Sequence, residues 1–458
     1  MATTSALASS NAGTLDVPSL VSQLMSAERR PIDKLNAQVT SYKTKISTLG
    51  TLKSLASSLH SASLSLNSSF SNNAASSSDT SVATASASST ALAGTYTVNV
   101  TELAKAHRLV AAGQASDTAA LTSTGSTVTI NVGGVATDVA VGAGASLQDI
   151  ATAINNADLG ITASLVNDGL ASPYRLSIAA NKTGLANAVT SITVKTGGDA
   201  ALNDLLAYNP TENAPTPAIP MQQTVAAADA DFEVNGIRIV KSSNTVSDAV
   251  TGVTFSLMKK SASTTITVAR DNDGVKASVT SFVEAYNSLS TQLKSRSAYK
   301  SDMADGGVLA GDGTIRQMLQ DMRSVILTTA SGGSLSTLSE VGITFQSDGS
   351  LKLDSTKLDT ALKTGYSDVV NLFTSATGFA TRMTTWADTV SQTGGTLDAR
   401  VTSFNTSVSS LNTEIDHLEV KMLALEKKYT LTYATLNQLL DRMNKTGAYL
   451  TQQFSSKS

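Results

Sequence analysis

The 458-residue sequence contains no cysteine. Disulfide scaffolds, thiol nucleophiles and Cys-ligated zinc or iron–sulfur sites are therefore excluded. The absence also suits an exported chain that travels unfolded and never cross-links. Histidine is nearly absent, with only His60, His107 and His417. Proline is scarce too, and four of the seven (Pro210, Pro215, Pro217 and Pro220) cluster in one stretch, which reads as an extended loop or linker. Aromatic residues make up 4% and charged residues 15%, the latter against about 25% in an average soluble domain. Lys and Arg total 33 and Asp and Glu 36, a net charge of −3, which argues against a dedicated nucleic-acid binder. No apolar run approaches about 18 residues, so no membrane span is expected. Met1 to Gly13 shows neither a basic n-region nor an apolar h-region, so no cleavable secretory signal is expected. Export, if it occurs, would use a route without a classical signal.

What remains is polar, lightly charged and long enough for about three domains. The two ends share one pattern. From Ile32 the apolar residues run Ile32, Leu35, Val39, Tyr42, Ile46 and Leu49, alternating steps of three and four. That is the 3.5-residue period of a coiled coil. Leu52, Leu55, Leu59 and Leu66 extend the stripe toward Phe70, and Pro31 suits the first turn. A shorter helix is expected before it, capped by Asp16, with Leu20, Val21, Leu24 and Met25 on one face. The C-terminal stripe is longer: Leu397, Val401, Phe404, Val408, Leu411, Ile415, Leu418, Met422, Leu425 and Tyr429, continued by Leu436, Leu439, Met443 and Leu450. Thr432 and Thr446 fill the softer positions. A lone amphipathic helix cannot hide such a stripe. Its partner is expected to be the N-terminal helix of the same chain, the helices of neighbouring subunits, or both.

Between Phe70 and about Arg270 the period changes. Asn72 to Ala93 reads as a linker plus a first strand at Val82–Ala85, and Thr95–Val100 alternates as a strand. A weak repeat follows. Val128–Val135 leads to Ser146–Ala151 and then Gly160–Leu165; about a hundred residues later Phe232–Ile237 leads to Thr245–Val250 and then Gly252–Leu257. Each copy reads as strand, glycine turn, strand, Ser- or Thr-capped short helix, glycine, strand. After Arg270 helices return through Val279, Phe282, Val283, Tyr286, Leu289 and Leu293, and after Gly313 through Ile315, Met318, Leu319, Met322 and Ile326. Gly342–Gln346 and Ser350–Leu353 around Ser347-Asp348-Gly349 signal a hairpin, and Asp354 or Ser355 would cap a helix carrying Leu358 and Leu362. The fold class is α+β multidomain: a terminal α-helical coiled-coil leg or stalk made from both chain ends, with inserted antiparallel β-rich head domains.

No constellation of chemistry emerges. There is no HExxH, GxSxG or P-loop. Asp271-Asn272-Asp273-Gly274 has its glycine at loop position 4 and Phe282 at position 12, so a helix-start turn is read there rather than a calcium loop. Gly306–Gly313 lacks Lys-Ser/Thr and reads as a turn. Glu414, Asp416 and Glu419 read as a solvated face, and Trp386 with Phe379 and Met383 as core. No enzyme, no cofactor and no metal are expected.

Several strings resemble a known family. Leu15-Asp16-Val17-Pro18-Ser19-Leu20-Val21-Ser22-Gln23-Leu24-Met25-Ser26-Ala27-Glu28-Arg29-Arg30-Pro31 is similar to the N-terminal signature of the flagellar hook-associated protein 2 family, the flagellar filament caps. Residues 128–187 resemble the flagellin-type IN module. Val268–Asp273 with Phe282–Asn287, Gly342–Phe345 with Asp348-Gly349, Leu353-Asp354 with Lys357–Asp359, and Tyr449–Phe454 resemble the family's C-terminal domain. Four regions are expected: 1–42 with 400–458 as the coiled-coil leg, 43–75 with 271–399 as a helical stalk domain with a β-hairpin, 76–112 with 223–270 as an inner β-rich head module, and 113–222 as an outer, IN-like one. The resemblance implies a structural assembly factor, secreted through the flagellar export channel to the filament tip. It would form a ring of about five copies, promote flagellin folding and insertion, and prevent loss of exported flagellin. Its implied partners are itself, flagellin and the filament end, hook–filament junction proteins, the export apparatus and an export chaperone, with no nucleic acid. The alternatives are an adhesin presenting its β-rich head to host surfaces or mucin, and another axial junction protein. The stripes from Ile32 to Leu49 and from Phe404 to Leu450 would form the coiled-coil and oligomer interface.

Overall fold

The computed structural model describes residues 16–195, 197–210, 220–299 and 306–455. In chain order its helices are α1 (Val17–Glu28), α2 (Arg30–Ser69), α3 (Leu147–Asn156), α4 (Ala200–Leu206), α5 (Asn272–Ser297), α6 (Gly313–Leu327), α7 (Ser355–Thr364), α8 (Tyr366–Thr374), α9 (Phe379–Ser391) and α10 (Thr396–Ser455). The first strands are β1 (Asn73–Ser77), β2 (Ala83–Ala87), β3 (Gly94–Glu102), β4 (Arg108–Ala111), β5 (Ser126–Val132) and β6 (Val135–Val141). They are followed by β7 (Ile161–Asn167), β8 (Tyr174–Ala180), β9 (Val189–Val194), β10 (Met221–Val225), β11 (Ala230–Val234) and β12 (Ile237–Lys241). The last are β13 (Thr245–Val250), β14 (Val253–Leu257), β15 (Ala262–Arg270), β16 (Ile343–Phe345) and β17 (Leu351–Leu353). The chain divides into two units: a head unit, Ser69–Gly274, and a helical unit, which joins the residues up to Ser68 to those from Val275 onward.

The head unit holds two hydrophobic cores. One lies under the sheets β1-β15-β3-β11-β12 and β13-β14-β2, centred on Val98, Phe232, Phe255 and Ile266. The other lies under β10-β4-β8-β7 and β6-β5-β9, where α3 and α4 bury Leu147, Ile150, Ile154, Leu202 and Leu206. The strand pairs are antiparallel, which short loops can connect. Two hairpins show the repeat at atomic level. Val132 pairs with Val135 across Gly133-Gly134, and Val234 with Ile237 across Asn235-Gly236. All four turn residues have positive φ, the condition for a tight turn that matches strand twist. At Gly133 a Cβ would also strike the Ala186 carbonyl oxygen at 2.2 Å.

The repeat then diverges. Ser146 caps α3 in a reciprocal box with Asp149, as expected for the first copy. The second copy's Thr245–Val250 is the strand β13 rather than a short helix. Asp248, placed to close the same box, instead pairs with Lys241 Nζ at 2.6 Å. Thr245, Val246 and Val250 are β-branched, and Val250 turns directly onto Val253 of β14, so six residues complete a hairpin. The stretch read as a linker after Asn72 likewise contains a strand: β1 pairs with β15 from Asn73↔Arg270 to Ser77↔Ile266. The strand read at Val82–Ala85 is β2, which begins one residue later and ends two residues later. Leu15 and most of the proline-rich stretch, residues 211–219, lie outside the described residues.

In the helical unit, α5 buries Val279, Phe282, Tyr286, Leu289 and Leu293, and α6 buries Ile315, Met318, Met322 and Ile326. The β16–β17 hairpin forms in the expected register, and Asp354 caps α7 through the Thr356 and Lys357 amides. Phe379 and Met383 are fully buried on α9, whereas Trp386 is only half-buried at the edge of a cleft with Met318 and Val390.

Candidate functional site

The apolar stripes of the two chain ends meet along α1, α2 and α10. Three contacts fix their direction. Lys53 Nζ lies 2.9 Å from Asp398 Oδ1, the Tyr42 and Phe404 rings are 5.4 Å apart, and Tyr429 Oη donates to Glu28 Oε1 at 3.3 Å. Numbers fall on one side as they rise on the other, so the α1–α2 arm is antiparallel to α10. Asp16 caps α1 by accepting from the Ser19 amide at 3.2 Å. The break between α1 and α2 spans one residue, Arg29, where Pro31 withholds an amide proton from the helical ladder. The ladder resumes on both sides, with Arg29 N–H to Met25 O and Asp33 N–H to Arg29 O.

Burial grades along the pair. In α2 the residues Leu49, Leu52, Ala56, Leu59, Ser63 and Leu66 are buried at heptad spacing. Ser63 satisfies its hydroxyl by donating to Leu59 O at 2.7 Å, so a polar side chain sits in the stripe without an unpaired group. On α10 only Leu397 and Phe404 are buried. Around Phe404 the helix is clamped. Arg400 Nε donates to Asp312 Oδ2 at 2.8 Å, the Arg400 guanidinium stands 4.3 Å from the Phe404 ring centre, and Lys45 Nζ stands 5.8 Å from it. Asp312 Oδ1 meanwhile accepts from the Thr314 amide and caps α6, so one carboxylate holds two helices. That is the function of the glycine-rich Gly306–Gly313 stretch: it turns the chain into α6.

Beyond the clamp nothing on α10 is fully covered. Val408, Leu411, Ile415, Leu418, Met422, Leu425 and Tyr429 are half-buried, as are Leu35, Tyr42 and Ile46 opposite; Ile32 and Val39 are buried. Val21 and Met25 of α1 are buried, and they border an open groove with Val17, Arg29, Glu426 and Thr430. Desolvation and then the Glu28 carboxylate raise the Tyr429 phenol above its ordinary value, so it donates at neutral pH.

After Tyr429 the covered face shifts. Tyr433, Ala434, Asn437 and Leu440 are half-buried, while Leu436, Leu439, Met443 and Leu450 are exposed. A straight α-helix drifts about 20° per heptad against a strict 3.5 repeat. A single partner helix therefore cannot stay over a sustained heptad stripe, and the stripe emerges from under it. Sequence reasoning missed Tyr433 and a second exposed set, Val420, Leu423 and Leu431, which break the heptad rhythm. Glu414, Asp416 and Glu419 lie on the exposed side.

The arrangement offers apolar surface rather than reactive groups. Among the described residues no three or more His, Cys, Asp or Glu group together to hold a metal ion, and no helix is long and apolar enough to cross a membrane. Asp271 accepts from the Gly274 amide at 2.8 Å, the geometry of a helix cap. His107 is buried in the head, where Nδ1 accepts from the Val189 amide and Nε2 faces Tyr208 Oη at 3.4 Å.

Comparison with known proteins gives a consistent result along the chain. The family described as "Flagellar hook-associated protein 2 N-terminus" matches residues 13–107, "Flagellin hook IN motif" matches 127–182, and "Flagellar hook-associated protein 2 C-terminus" matches 227–445. Flagellar hook-associated protein 2 of Escherichia coli (strain K12) is 32% identical over 467 residues, covering 97% of both chains. The B-type flagellar hook-associated protein 2 of Pseudomonas aeruginosa is 30% identical over 468 residues, covering 97% of this chain and 96% of the relative. The crystal structure of the flagellar cap protein FliD D1-D2-D3 domains from Escherichia coli superposes with a TM-score of 0.61 at 34% identity, covering 78% of this chain and 99% of that one.

Proposed function

The chain belongs to the flagellar hook-associated protein 2 family, and we propose that it acts as a cap on the growing flagellar filament. The observation that carries the mechanism is the half-covered stripe from Val408 to Tyr429 and the exposed one from Leu436 to Leu450. Full burial of a Leu, Ile or Met side chain contributes about 1.5–3 kcal/mol. A half-buried side chain therefore holds on the order of 1 kcal/mol in reserve until a neighbour covers it. Several such residues per copy favour a ring in which adjacent legs complete one another's cores. Such a ring at the filament tip would seat incoming flagellin, promote its folding and insertion, and keep it from the medium. The leg would contact the filament end, and the heads would face outward.

This role asks for no catalysis, since flagellin's own folding and packing can drive insertion. It asks for delivery to the outside of the cell by the flagellar export apparatus, with which the absence of cysteine is in keeping. The test is deletion of the gene, with filaments and medium assayed together. Bare hooks and soluble flagellin are the expected result; normal filaments would overturn the reading. Leu418→Asp tests the interface. It is expected to abolish ring assembly in sedimentation while the circular dichroism of the head is retained. Normal rings from that variant would remove the stripe from the interface.

A further inference from the structure

The β11–β12 turn carries the only Asn-Gly step in the sequence, Asn235-Gly236. That dipeptide is chemically labile. The main-chain nitrogen after an asparagine can attack the side-chain amide carbon, and glycine, with no Cβ, hinders the approach least. Both residues are exposed, and a Cβ built on Gly236 would meet nothing within 4 Å. Among the described residues no hydrogen bond uses the Gly236 amide. The nucleophile is therefore open to the solvent base that must take its proton.

The side chain that would be attacked is held. Asn235 Oδ1 accepts from the Thr97 amide at 2.8 Å, and the Asn235 amide donates to Thr97 O at 2.9 Å. Thr97 thus uses both backbone groups on Asn235, as on a strand partner. The side-chain carbonyl stands in for a main-chain carbonyl, because positive φ at Asn235 (51°) and Gly236 (81°) turns the main chain away. Attack would close a five-membered imide ring. Such a ring needs Asn235 Cβ and the Gly236 nitrogen nearly eclipsed about the Cα–C bond. A turn with positive φ at both central residues keeps them nearly opposite. The turn cannot swing freely, since Val234 pairs with Ile237, and Phe232 and Val234 are buried in the core under β11. Ring closure would break that pairing and leave the Thr97 amide without its acceptor, so it requires local opening of the hairpin.

We propose that Asn235 is a self-modification site that the folded hairpin keeps latent, so that deamidation there records time the head spends unfolded. The Gly236 nitrogen bonds to Asn235 Cγ, the Cγ–Nδ2 bond breaks, and ammonia leaves with the amide proton. Water then opens one of the two ring carbonyls. Opening at Cγ gives aspartate, which still offers Thr97 an acceptor. Opening at the main-chain carbonyl gives isoaspartate, whose backbone runs through the former side chain and is one carbon longer. That form cannot make both Thr97 contacts in register. The test is incubation of the full-length chain at mildly alkaline pH, folded or in guanidinium chloride, with mass spectrometry of the peptide that carries Asn235. Deamidation is expected at least about tenfold faster in the unfolded chain, and faster there than at any other asparagine. Asn235→Gly, which suits the turn, should abolish the signal and leave the fold intact. Equal rates in the two states, or no reaction in the unfolded chain, would overturn the proposal. The aged chain is then refolded and treated with protease. The protease-resistant head should retain the aspartyl form and be depleted of the isoaspartyl form at least fivefold. Equal recovery of the two forms would overturn the assignment of Thr97 and the hairpin as the discriminating contacts.

Discussion

The head and the leg treat apolar surface in opposite ways. In the head, strands turn back on their neighbours and close two cores whose central side chains, among them Phe232, Phe255, Ile130 and Ile150, have no exposure at all. In the leg, residues of the same hydrophobicity repeat along α10 and remain half-covered or open. The difference is geometric. A sheet presents one broad face that a second layer can cover, whereas a helix pair covers one narrow seam and leaves a drifting heptad stripe exposed. A closed core gives a domain that stands alone, and an open stripe gives a surface that gains by association.

The contrast can be broken from either side. Phe232→Ala should have the largest effect, lowering head stability by about 3–5 kcal/mol through lost transfer energy and a residual cavity. Hydrogen exchange in α10 should stay unchanged, which checks that the two units are independent. Asp312→Ala acts at the clamp where the leg begins. Loss of the α6 cap alone should cost about 1–2 kcal/mol, read as faster exchange of the Thr314–Gln317 amides and of α10 near Arg400.

A gentler probe of the head is pH. Burial pushes the His107 imidazole below its ordinary value of 6.5. The unfolded chain therefore takes up the proton first as pH falls, so this contribution to head stability is complete above about 6.5 and declines below it. A charged ring would also turn an Nδ1–H against the Val189 amide, which now donates to it. Urea midpoints of the head from pH 7.5 to 5 should fall, and less so in His107→Gln. The smallest change is expected from Met443→Ser on the open stripe: within about 0.5 kcal/mol for the monomer, with weaker assembly as the informative readout.

Much of this architecture was legible beforehand, for reasons that can be stated residue by residue. Asp16, Ser146 and Asp354 cap helices because short polar side chains before an apolar run have few better uses. The Gly133-Gly134 and Asn235-Gly236 turns declare their hairpins, because positive φ at two successive residues suits little else. Thr245–Asp248 misled, because its Ser/Thr-x-x-Asp spacing is shared by a capping box and by a strand whose acid pairs across to Lys241. β1 was missed, because Asn73–Ser77 has almost no hydrophobic signal and is held by its pairing with β15. The Asp312–Arg400 clamp had no signal at all, since its residues lie 88 positions apart and only the packing of α6 near the start of α10 brings them together.

The amino-acid order by itself determined the local periods: heptads at the two ends, with alternation and glycine turns between them. These are short-range properties, set by backbone sterics and by which side chains avoid water. The tertiary structure alone decided where each stripe ends up. Leu418 and Leu436 are the same residue type in one continuous pattern, yet one faces a partner helix and the other faces solvent. The reason is that a 3.6-residue helix and a 3.5-residue pattern diverge with length, and how far a partner follows depends on where Pro31 and the Asp312–Arg400 clamp set the helices.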